Sequence, residues 1–405
     1  MDEREVHELL RGAAEGVQPS PDLPDRAERR YRRRRVRGRV LVSAVVVALV
    51  GSGIATAEMV GADHQSHSVV AQPPTSVHRP IDTTSSSAPT GSVDVRSIEA
   101  LSFVDAKVGF ALVREDAAAT SAVVRTDDGG RTWRRVGLLG EYESGLHFEN
   151  ALDGVAWGTG PLEWTTDGGA HWRAADGPVD NYLAWGGGRL WAMSPCVQST
   201  PCGSRWLLIS DDTGRTWQQT APLQQGFGLA SIVALSKSVA YVVEPSTDTQ
   251  PGPWQLALTK DGGVSWAYEA VPCPTWTEQP YLAVKKGTLL LVCAGQPSAG
   301  SQLKEVWSSG DDGRRWTAAA RLEGGGYVSA LTNVGSTFVA AMSRGEMWSS
   351  TDGGSWRRET DTVQGFWAIA TVPSVGAWAA TGRADQHAGL LFSPDGLHWE
   401  RRAGG

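Results

Sequence analysis

Over most of the chain, short apolar runs alternate with polar turns, and this pattern predicts β-strands. Typical runs are "GFALV" (109–113) and "WLLI" (206–209). Runs of this length, bounded by Gly and Asp, are typical of strands rather than amphipathic helices. One segment departs from the pattern, because "VLVSAVVVALVGSGIATA" (40–57) holds eighteen residues without a charge. The sequence therefore combines a β-rich body with one long apolar segment near its N-terminus.

One polar turn is repeated seven times along the body. The Asp residues of successive copies are 39 to 50 residues apart, which is close to the period of a four-stranded propeller blade. The copies are "TDDGGRTW" (126–133), "TTDGGAHW" (165–172), "SDDTGRTW" (210–217), "TKDGGVSW" (259–266), "SGDDGRRW" (309–316) and the shorter "STDGGSW" (350–356) and "SPDGLHW" (393–399). Seven copies at this spacing predict seven blades.

A second, fainter repeat sets the register of each blade. One bulky residue stands in an apolar run before each turn: Phe110, Trp157, Trp191, Tyr241, Leu291, Phe338 and Trp378. Each blade is therefore predicted to contain strand A, strand B with the bulky residue, strand C, the Asp turn, and strand D beginning at the Trp.

The composition of the turn suits a hairpin between strands C and D. An Asp side chain can accept backbone N–H groups of its own turn, and the following Gly supplies a positive φ. The Trp is expected to bury its ring between adjacent sheets. We therefore assign a structural role to Asp128, Trp133, Asp167, Trp172, Asp212, Trp217, Asp261, Trp266, Asp311, Trp316, Asp352, Trp356, Asp395 and Trp399.

The repeated turn resembles the Asp-box, or BNR repeat, with the pattern S/T-x-D-x-G-x-T/S-W. The copies at 126–133 and 210–217 match it fully, the fifth has Arg315 at the Thr/Ser position, and the last two lack one residue. Families with this repeat include sialidases, sortilin-type receptors, other glycosidases and the photosystem II assembly-factor propellers. The lead-in "HFENALDGVAWGTG" (147–160) is most similar to the last group. No photosynthetic role follows from this resemblance.

The predicted fold class is all-β, a seven-bladed propeller over residues 96–405, preceded by one transmembrane helix and a disordered linker. The chain ends inside strand D of the last blade. Ring closure must then come from packing of blade one against blade seven, unless residues 91–97 add a strand.

The N-terminal segment predicts a membrane anchor. Residues 1–39 are an Arg-rich cytoplasmic head similar to those of actinobacterial single-pass proteins, with eight Arg in "RRYRRRRVRGR" (29–39). Residues 40–60 are expected to form a signal-anchor helix, and residues 61–95 a Ser/Thr/Pro-rich linker. Arg on the N-terminal flank places the propeller outside the cell membrane. A cleaved signal peptide is the alternative.

The charge distribution bears on the class of partner. Residues 1–39 hold 11 Arg and 8 acidic residues, a net charge of +3, which leaves 26 basic and 36 acidic residues, or −10, for the rest. An acidic ectodomain argues against DNA or RNA as a partner. We expect a monomeric ectodomain that binds a protein or a glycan.

Loops on the face opposite the Asp turns are the candidate binding face. Strand direction alternates, so B–C loops and D–A connections share that face, and three adjacent blades carry inserts there: 194–204, 244–253 and 294–302. Variable loops on a rigid frame are where binding usually resides. Trp276, on a connection, is either a stacking platform or a core residue. Two disulfides are expected outside the cell, Cys196–Cys202 and Cys273–Cys293.

Catalytic and cofactor signals are weak. Sialidases need three Arg, a Tyr nucleophile with a Glu partner, and an Asp acid; Tyr281 with Glu278 is the best such pair here. Many Arg residues stand in or beside the Asp turns, on the other face, and "GGG" at 186–188 and 324–326 are turns. No cofactor is predicted, and no His is spaced to join the Cys residues in a metal site. We interpret the protein as a non-catalytic interaction scaffold, with a carbohydrate-binding propeller or a sialidase-like hydrolase as alternatives.

Overall fold

The structure, a computed structural model, describes residues 98–114, 120–139, 143–158, 161–175, 183–193, 205–224, 231–246, 253–296, 298, 300–361, 365–373, 375–381 and 389–403. These residues form seven four-stranded antiparallel sheets, in which each strand pairs with its neighbour in sequence. The all-β seven-bladed propeller is thereby confirmed.

The first four blades take their strands in chain order. Blade one is β1 (Ile98–Phe103), β2 (Gly109–Arg114), β3 (Ser121–Thr126) and β4 (Arg134–Leu139). Blade two is β5 (Glu143–Phe148), β6 (Gly154–Gly158), β7 (Glu163–Thr165) and β8 (Arg173–Ala174). Blade three is β9 (Leu183–Trp185), β10 (Leu190–Met193), β11 (Arg205–Ser210) and β12 (Gln218–Leu223). Blade four is β13 (Ser231–Ala234), β14 (Ala240–Pro245), β15 (Trp254–Thr259) and β16 (Ala267–Ala270).

The last three blades follow the same plan. Blade five is β17 (Thr277–Lys285), β18 (Thr288–Gly295), β19 (Lys304–Ser309) and β20 (Thr317–Arg321). Blade six is β21 (Val328–Val334), β22 (Thr337–Met342), β23 (Glu346–Ser350) and β24 (Arg357–Asp361). Blade seven is β25 (Phe366–Val372), β26 (Gly376–Thr381), β27 (Gly389–Ser393) and β28 (Glu400–Ala403).

The hydrophobic core lies between blades rather than within them. Strand B of most blades is buried on both faces, as in β18 and β22, where nearly every side chain is buried. Strand D is mostly exposed or half-buried, as in β20. The buried side chains form seven clusters, each shared by two neighbouring blades. A sheet that is apolar on both faces needs a neighbour on each side, and a closed ring supplies one.

Each Asp turn is closed by hydrogen bonds that the Asp carboxylate accepts from a Ser or Thr hydroxyl before it and from backbone N–H groups after it. In the first turn Thr126 Oγ1 donates to Asp128 Oδ1 at 2.8 Å and accepts the N–H of Gly130 at 2.9 Å. Asp128 also accepts the backbone N–H and the hydroxyl of Thr132, and Trp133 Nε1 donates to the Gly130 carbonyl. The Asp therefore fixes both ends of the hairpin.

The hydrogen bonds also keep the turn carboxylates ionised. In the fourth turn the hydroxyl and backbone N–H of Ser265, with the hydroxyl of Thr259, lower the pKa of Asp261 to about 2. A carboxylate that accepts several such bonds is stabilised in its charged form. The turn geometry therefore does not depend on pH near neutrality.

The two shortened turns keep this arrangement with one residue fewer. Asp352 accepts the N–H groups of Gly354 and Ser355, and Asp395 accepts those of Leu397 and His398. Each full turn has two consecutive residues with positive φ, whereas each short turn has one. The missing residue thus removes one left-handed position and leaves the Asp contacts in place.

Blade seven packs directly against blade one, and this packing closes the ring. The rings of Phe103 in β1 and Trp378 in β26 are stacked, with centroids 3.8 Å apart and planes 3° from parallel. Trp378 Nε1 also donates to the Gly129 carbonyl in the Asp turn of blade one at 3.2 Å. All four strands of blade seven come from residues 366–403, so closure here relies on side-chain packing.

We expect the substitution Trp378→Ala to lower the free energy of unfolding by about 3–5 kcal/mol, the usual cost of removing a large buried aromatic side chain. Urea unfolding of the purified protein measures the change. Val264→Ala is a suitable control because Val264 is 76% exposed, and it should change stability by less than about 0.5 kcal/mol. Equal effects of the two substitutions would contradict closure through Trp378.

The N-terminal predictions concern residues outside the described part of the chain. The head (1–39), the anchor helix (40–60) and the linker (61–95) all precede Ile98, the first described residue. Among the described residues, no helix has the length and apolar character needed to cross a membrane. The predicted anchor therefore stays a prediction.

Candidate functional site

The face that carries the Asp turns is occupied by charged contacts between neighbouring blades. Arg125 pairs with Asp127 and donates to the Ala151 carbonyl of the next blade. Arg215 pairs with Asp153 of the preceding blade at 2.7 Å. Lys285 donates to two carbonyls of blade six, those of Ser336 and Thr351. These three cations are therefore bonded within the ring and help to join neighbouring blades.

The turn Trp residues lie between blades, each in the cluster shared with the preceding blade. Trp133 is buried, while the other six are half-buried: Trp172, Trp217, Trp266, Trp316, Trp356 and Trp399. Trp266 bonds to the Ala221 carbonyl of blade three instead of its own turn. The indole N–H of Trp316 is buried and has no partner among the described residues. These residues hold blades together rather than forming a site.

On the opposite face, a disulfide ties the entry of blade five to its second strand. Cys273, in the connection from blade four, is bonded to Cys293 in β18, as the sequence predicted. Trp276 follows in the same connection and is half-buried. Its ring packs so closely on Gly295 that a Cβ there would lie 2.8 Å from Cε3. The other predicted disulfide, Cys196–Cys202, lies outside the described residues.

On the same face of the ring as Trp276, two large apolar side chains are open to solvent. Leu303, 53% exposed, and Tyr327, 37% exposed, flank the end of the blade-five insert. Leu303 also adjoins Gly295, and its carbonyl accepts the Gly295 N–H at 2.9 Å. We call Trp276, Leu303 and Tyr327 the apolar patch. An exposed apolar surface of this kind marks a possible contact site for a partner.

A buried lysine fixes the loops that carry the apolar patch. The Lys304 side chain is 1% exposed, and its Nζ donates to the carbonyls of Gln302, Gly324 and Gly326 at 3.0, 3.1 and 3.3 Å. Burial lowers the pKa of Lys304, and the nearby Glu346 opposes that shift. Because one ammonium joins the insert to the connection between blades five and six, Leu303 and Tyr327 are held in a fixed relation.

We expect Lys304→Met to lower the free energy of unfolding by about 2–4 kcal/mol, since three carbonyls, of which that of Gly326 is buried, lose their charged donor. Thermal or urea unfolding tests this. The control is Lys237→Met, because Lys237 is exposed and makes only a surface ion pair with Asp211, which contributes little. No loss of stability in the Lys304 variant would show that the ammonium does not hold these loops.

The central channel widens into a cavity of about 760 Å³ at the Asp-turn end. It is lined by the ends of the inner strands and contains His147 of β5 beside Trp185 of β9, with ring centroids 4.6 Å apart. The His147 side chain is partly exposed as a whole, but its Nε2 is buried without a partner among the described residues. Burial lowers the pKa of His147 to about 4. The imidazole is therefore neutral at pH 7.

The low pKa of His147 predicts a loss of stability in mild acid. An unfolded histidine titrates near pH 6.5, so between about pH 6.5 and 4 the unfolded chain binds a proton that the folded chain does not. The free energy of unfolding is fully retained above this window and falls as pH drops through it, by up to about 2 kcal/mol at pH 5.

Urea unfolding at pH 7 and pH 5 measures the loss of unfolding free energy that His147 causes in acid. The substitution His147→Gln should remove this loss. His171→Gln is the control, because His171 is exposed on an Asp turn, and it should retain the contribution of His147. The same pH dependence in wild type and His147→Gln would contradict the assignment.

The residues proposed for sialidase-like chemistry do not assemble into a site. The Tyr281 hydroxyl donates to the Val328 carbonyl of blade six at 2.9 Å, so it contributes to packing between blades. Glu278 is exposed on the same strand, where it lies in a β-bulge between Thr277 and Gln279. Arg114 pairs with Glu99, and Arg189 with Asp211, at opposite ends of their blades.

No group of three or more potential metal-ligating side chains occurs within the part of the chain that the structure describes. Sequence reasoning identified Trp276 but missed Leu303, Tyr327 and Lys304. The "GGG" at 324–326 was interpreted only as a turn, and it now contributes carbonyls to Lys304. For Lys304, the available signal in the sequence was a single Lys at the start of a strand.

Comparison with known proteins supports the fold. No family model matches the chain, and no curated protein matches its sequence. Among solved structures, YCF48 bound to a D1 peptide is similar, with a TM-score of 0.50 and 18% identity over 73% of this chain and 94% of that one. An ancestral GH74 enzyme has a TM-score of 0.55 and 13% identity, over 78% of this chain and 47% of that one.

These likenesses and the seven sheets define the class: the chain is a seven-bladed β-propeller whose C–D hairpins are closed by Asp turns. Its structural neighbours include a protein bound to a peptide and a glycoside hydrolase. Since identity is below 20% in both, the likeness concerns the fold, and function has to be argued from the site.

Proposed function

We propose that this protein is a non-catalytic, membrane-anchored extracytoplasmic propeller that binds a protein partner on the face opposite the Asp turns. The observation that carries the proposal is the apolar patch, which is exposed and held by the Lys304 contacts and the Cys273–Cys293 disulfide. A preorganised apolar surface lowers the entropic cost of association. The membrane anchor rests on residues 40–60 and the Arg run before them.

The two sides of the propeller favour this face for binding. Exposed apolar side chains occur on both sides, but Leu303 and Tyr327 are the ones carried by loops that Lys304 joins. On the Asp-turn side, several charged groups are bonded between blades. Exposed aromatic and aliphatic residues within a polar rim are typical of protein interfaces. The fold is also compatible with peptide binding, since the YCF48 structure contains a bound peptide.

A carbohydrate-binding propeller is the second candidate. It would need an aromatic ring with an open face, but Trp276 has one side on Gly295 and is half-buried. Hydrolase activity has less support, because Tyr281 is bonded to the backbone of blade six. The likeness to a GH74 enzyme makes a hydrolysis assay a necessary control.

We expect the full chain to bind a membrane or extracytoplasmic protein through the apolar patch. The experiment is affinity capture from native membranes, followed by measurement of the dissociation constant with the purified partner. Leu303→Ser with Tyr327→Ser should weaken binding at least about tenfold, since buried interface anchors contribute more than about 1 kcal/mol each. Leu138→Ser is the matched control, as Leu138 in blade one is 52% exposed.

Three outcomes would contradict the proposal. The first is equal retention of the partner by the patch variant and the control. The second is binding of a glycan array that depends on Trp276 and not on Leu303. The third is hydrolysis of a sialoside or a β-glucan by the purified chain, since a hydrolytic activity is not compatible with a purely binding role.

A further inference from the structure

One exposed arginine beside the apolar patch lies against three glycines, which we call the glycine shelf. Arg344, in the B–C turn of blade six, runs over Gly300, Gly325 and Gly326. A Cβ built on these glycines would lie 2.1 Å from its Nη2, 3.1 Å from its Cδ and 3.1 Å from its Cγ, respectively. A side chain at any of these three positions would therefore collide with Arg344 or displace it.

The glycine shelf is itself fixed. Lys304 bonds to the Gly326 carbonyl, and the Gly326 N–H donates to the Gly300 carbonyl at 3.0 Å. Tyr327 comes next and pairs through its backbone with Ser343, the neighbour of Arg344. Arg344 and Tyr327 thus lie on segments that are hydrogen-bonded to each other, and the planar fork of a guanidinium loses less entropy for each hydrogen bond that it forms.

This arginine has no anionic partner within the described residues. The nearby carboxylate, Glu346, already accepts from Trp348 Nε1 and the Gly325 N–H and lies 3.8 Å from Arg358. The Arg344 side chain is exposed, so its guanidinium is available to an anion from outside the chain, although residues 40–405 as a whole carry a net charge of −10.

We infer that the partner presents an acidic peptide segment, in which an Asp or Glu carboxylate binds the Arg344 guanidinium and an adjacent apolar side chain contacts Leu303 and Tyr327. This inference rests on the proposed function and names the chemistry of the partner. A planar guanidinium matches a carboxylate through two parallel hydrogen bonds. Contact with the apolar patch buries the apolar side chain of the partner, and Arg344 selects for an acidic residue beside it.

The experiment selects binding peptides from a displayed library of random 12-mers on the purified full chain. The selected peptides are then measured for affinity against four variants. Arg344→Ala removes the cation, and Gly325→Ala keeps it but places a Cβ 3.1 Å from its Cδ. Leu303→Ser with Tyr327→Ser removes the patch, and Arg321→Ala, which breaks an exposed pair with Glu305, is the control.

We expect the selected peptides to carry Asp or Glu next to an aromatic or aliphatic residue. Arg344→Ala should weaken their binding about tenfold or more, and Gly325→Ala should weaken it without loss of thermal stability. Replacement of the peptide acid by its amide should have the same effect on wild type and little effect on Arg344→Ala. Binding should also weaken with added salt.

The outcomes separate this inference from the proposed function. Peptides that require Leu303 and Tyr327 but lack an acid, or that bind Arg344→Ala unchanged, would overturn the acidic peptide and leave the binding face standing. Selection of phosphate or sulfate groups over carboxylates in competition would overturn it too. If no peptide is selected that depends on the patch, both proposals fail.

Discussion

Burial of sheet faces between neighbouring blades is the constraint on which the whole molecule depends. Each blade is apolar on both faces, so no blade can bury its core alone, and the seven interblade clusters exist only when the ring closes. Closure relies on Phe103 and Trp378, because β1 to β4 and β25 to β28 each complete their own sheet. The Asp turns support this arrangement by fixing each hairpin and placing one Trp at each junction.

The two faces of the ring differ because of how charges are used. On the Asp-turn face, cations such as Arg125, Arg215 and Lys285 bond to the adjacent blade. On the other face, Lys304 is buried within loops, and the side chains of Leu303 and Tyr327 on those loops are exposed. The contacts of charged groups therefore join blades on one face and join loops on the other.

Much of the fold was predictable, and less of the site. The number of blades, the strand order and the position of the bulky strand-B residues follow from local patterns, since alternation and turn composition are properties of neighbouring residues. The site was predictable only in outline. Trp276 was identified, but Lys304 acquires its role from carbonyls about twenty residues away, and no local pattern reports such a contact.

The sequence by itself determined the all-β class, the seven repeats and the Asp turns, because each depends on residues within about ten positions of one another. It also determined a Cys pair that could be joined across blade five. Only the tertiary structure decided that Tyr281 contributes to packing and that Arg344 lies over Gly300, Gly325 and Gly326. Those outcomes depend on which loops meet in space, and that is set by packing of blade against blade.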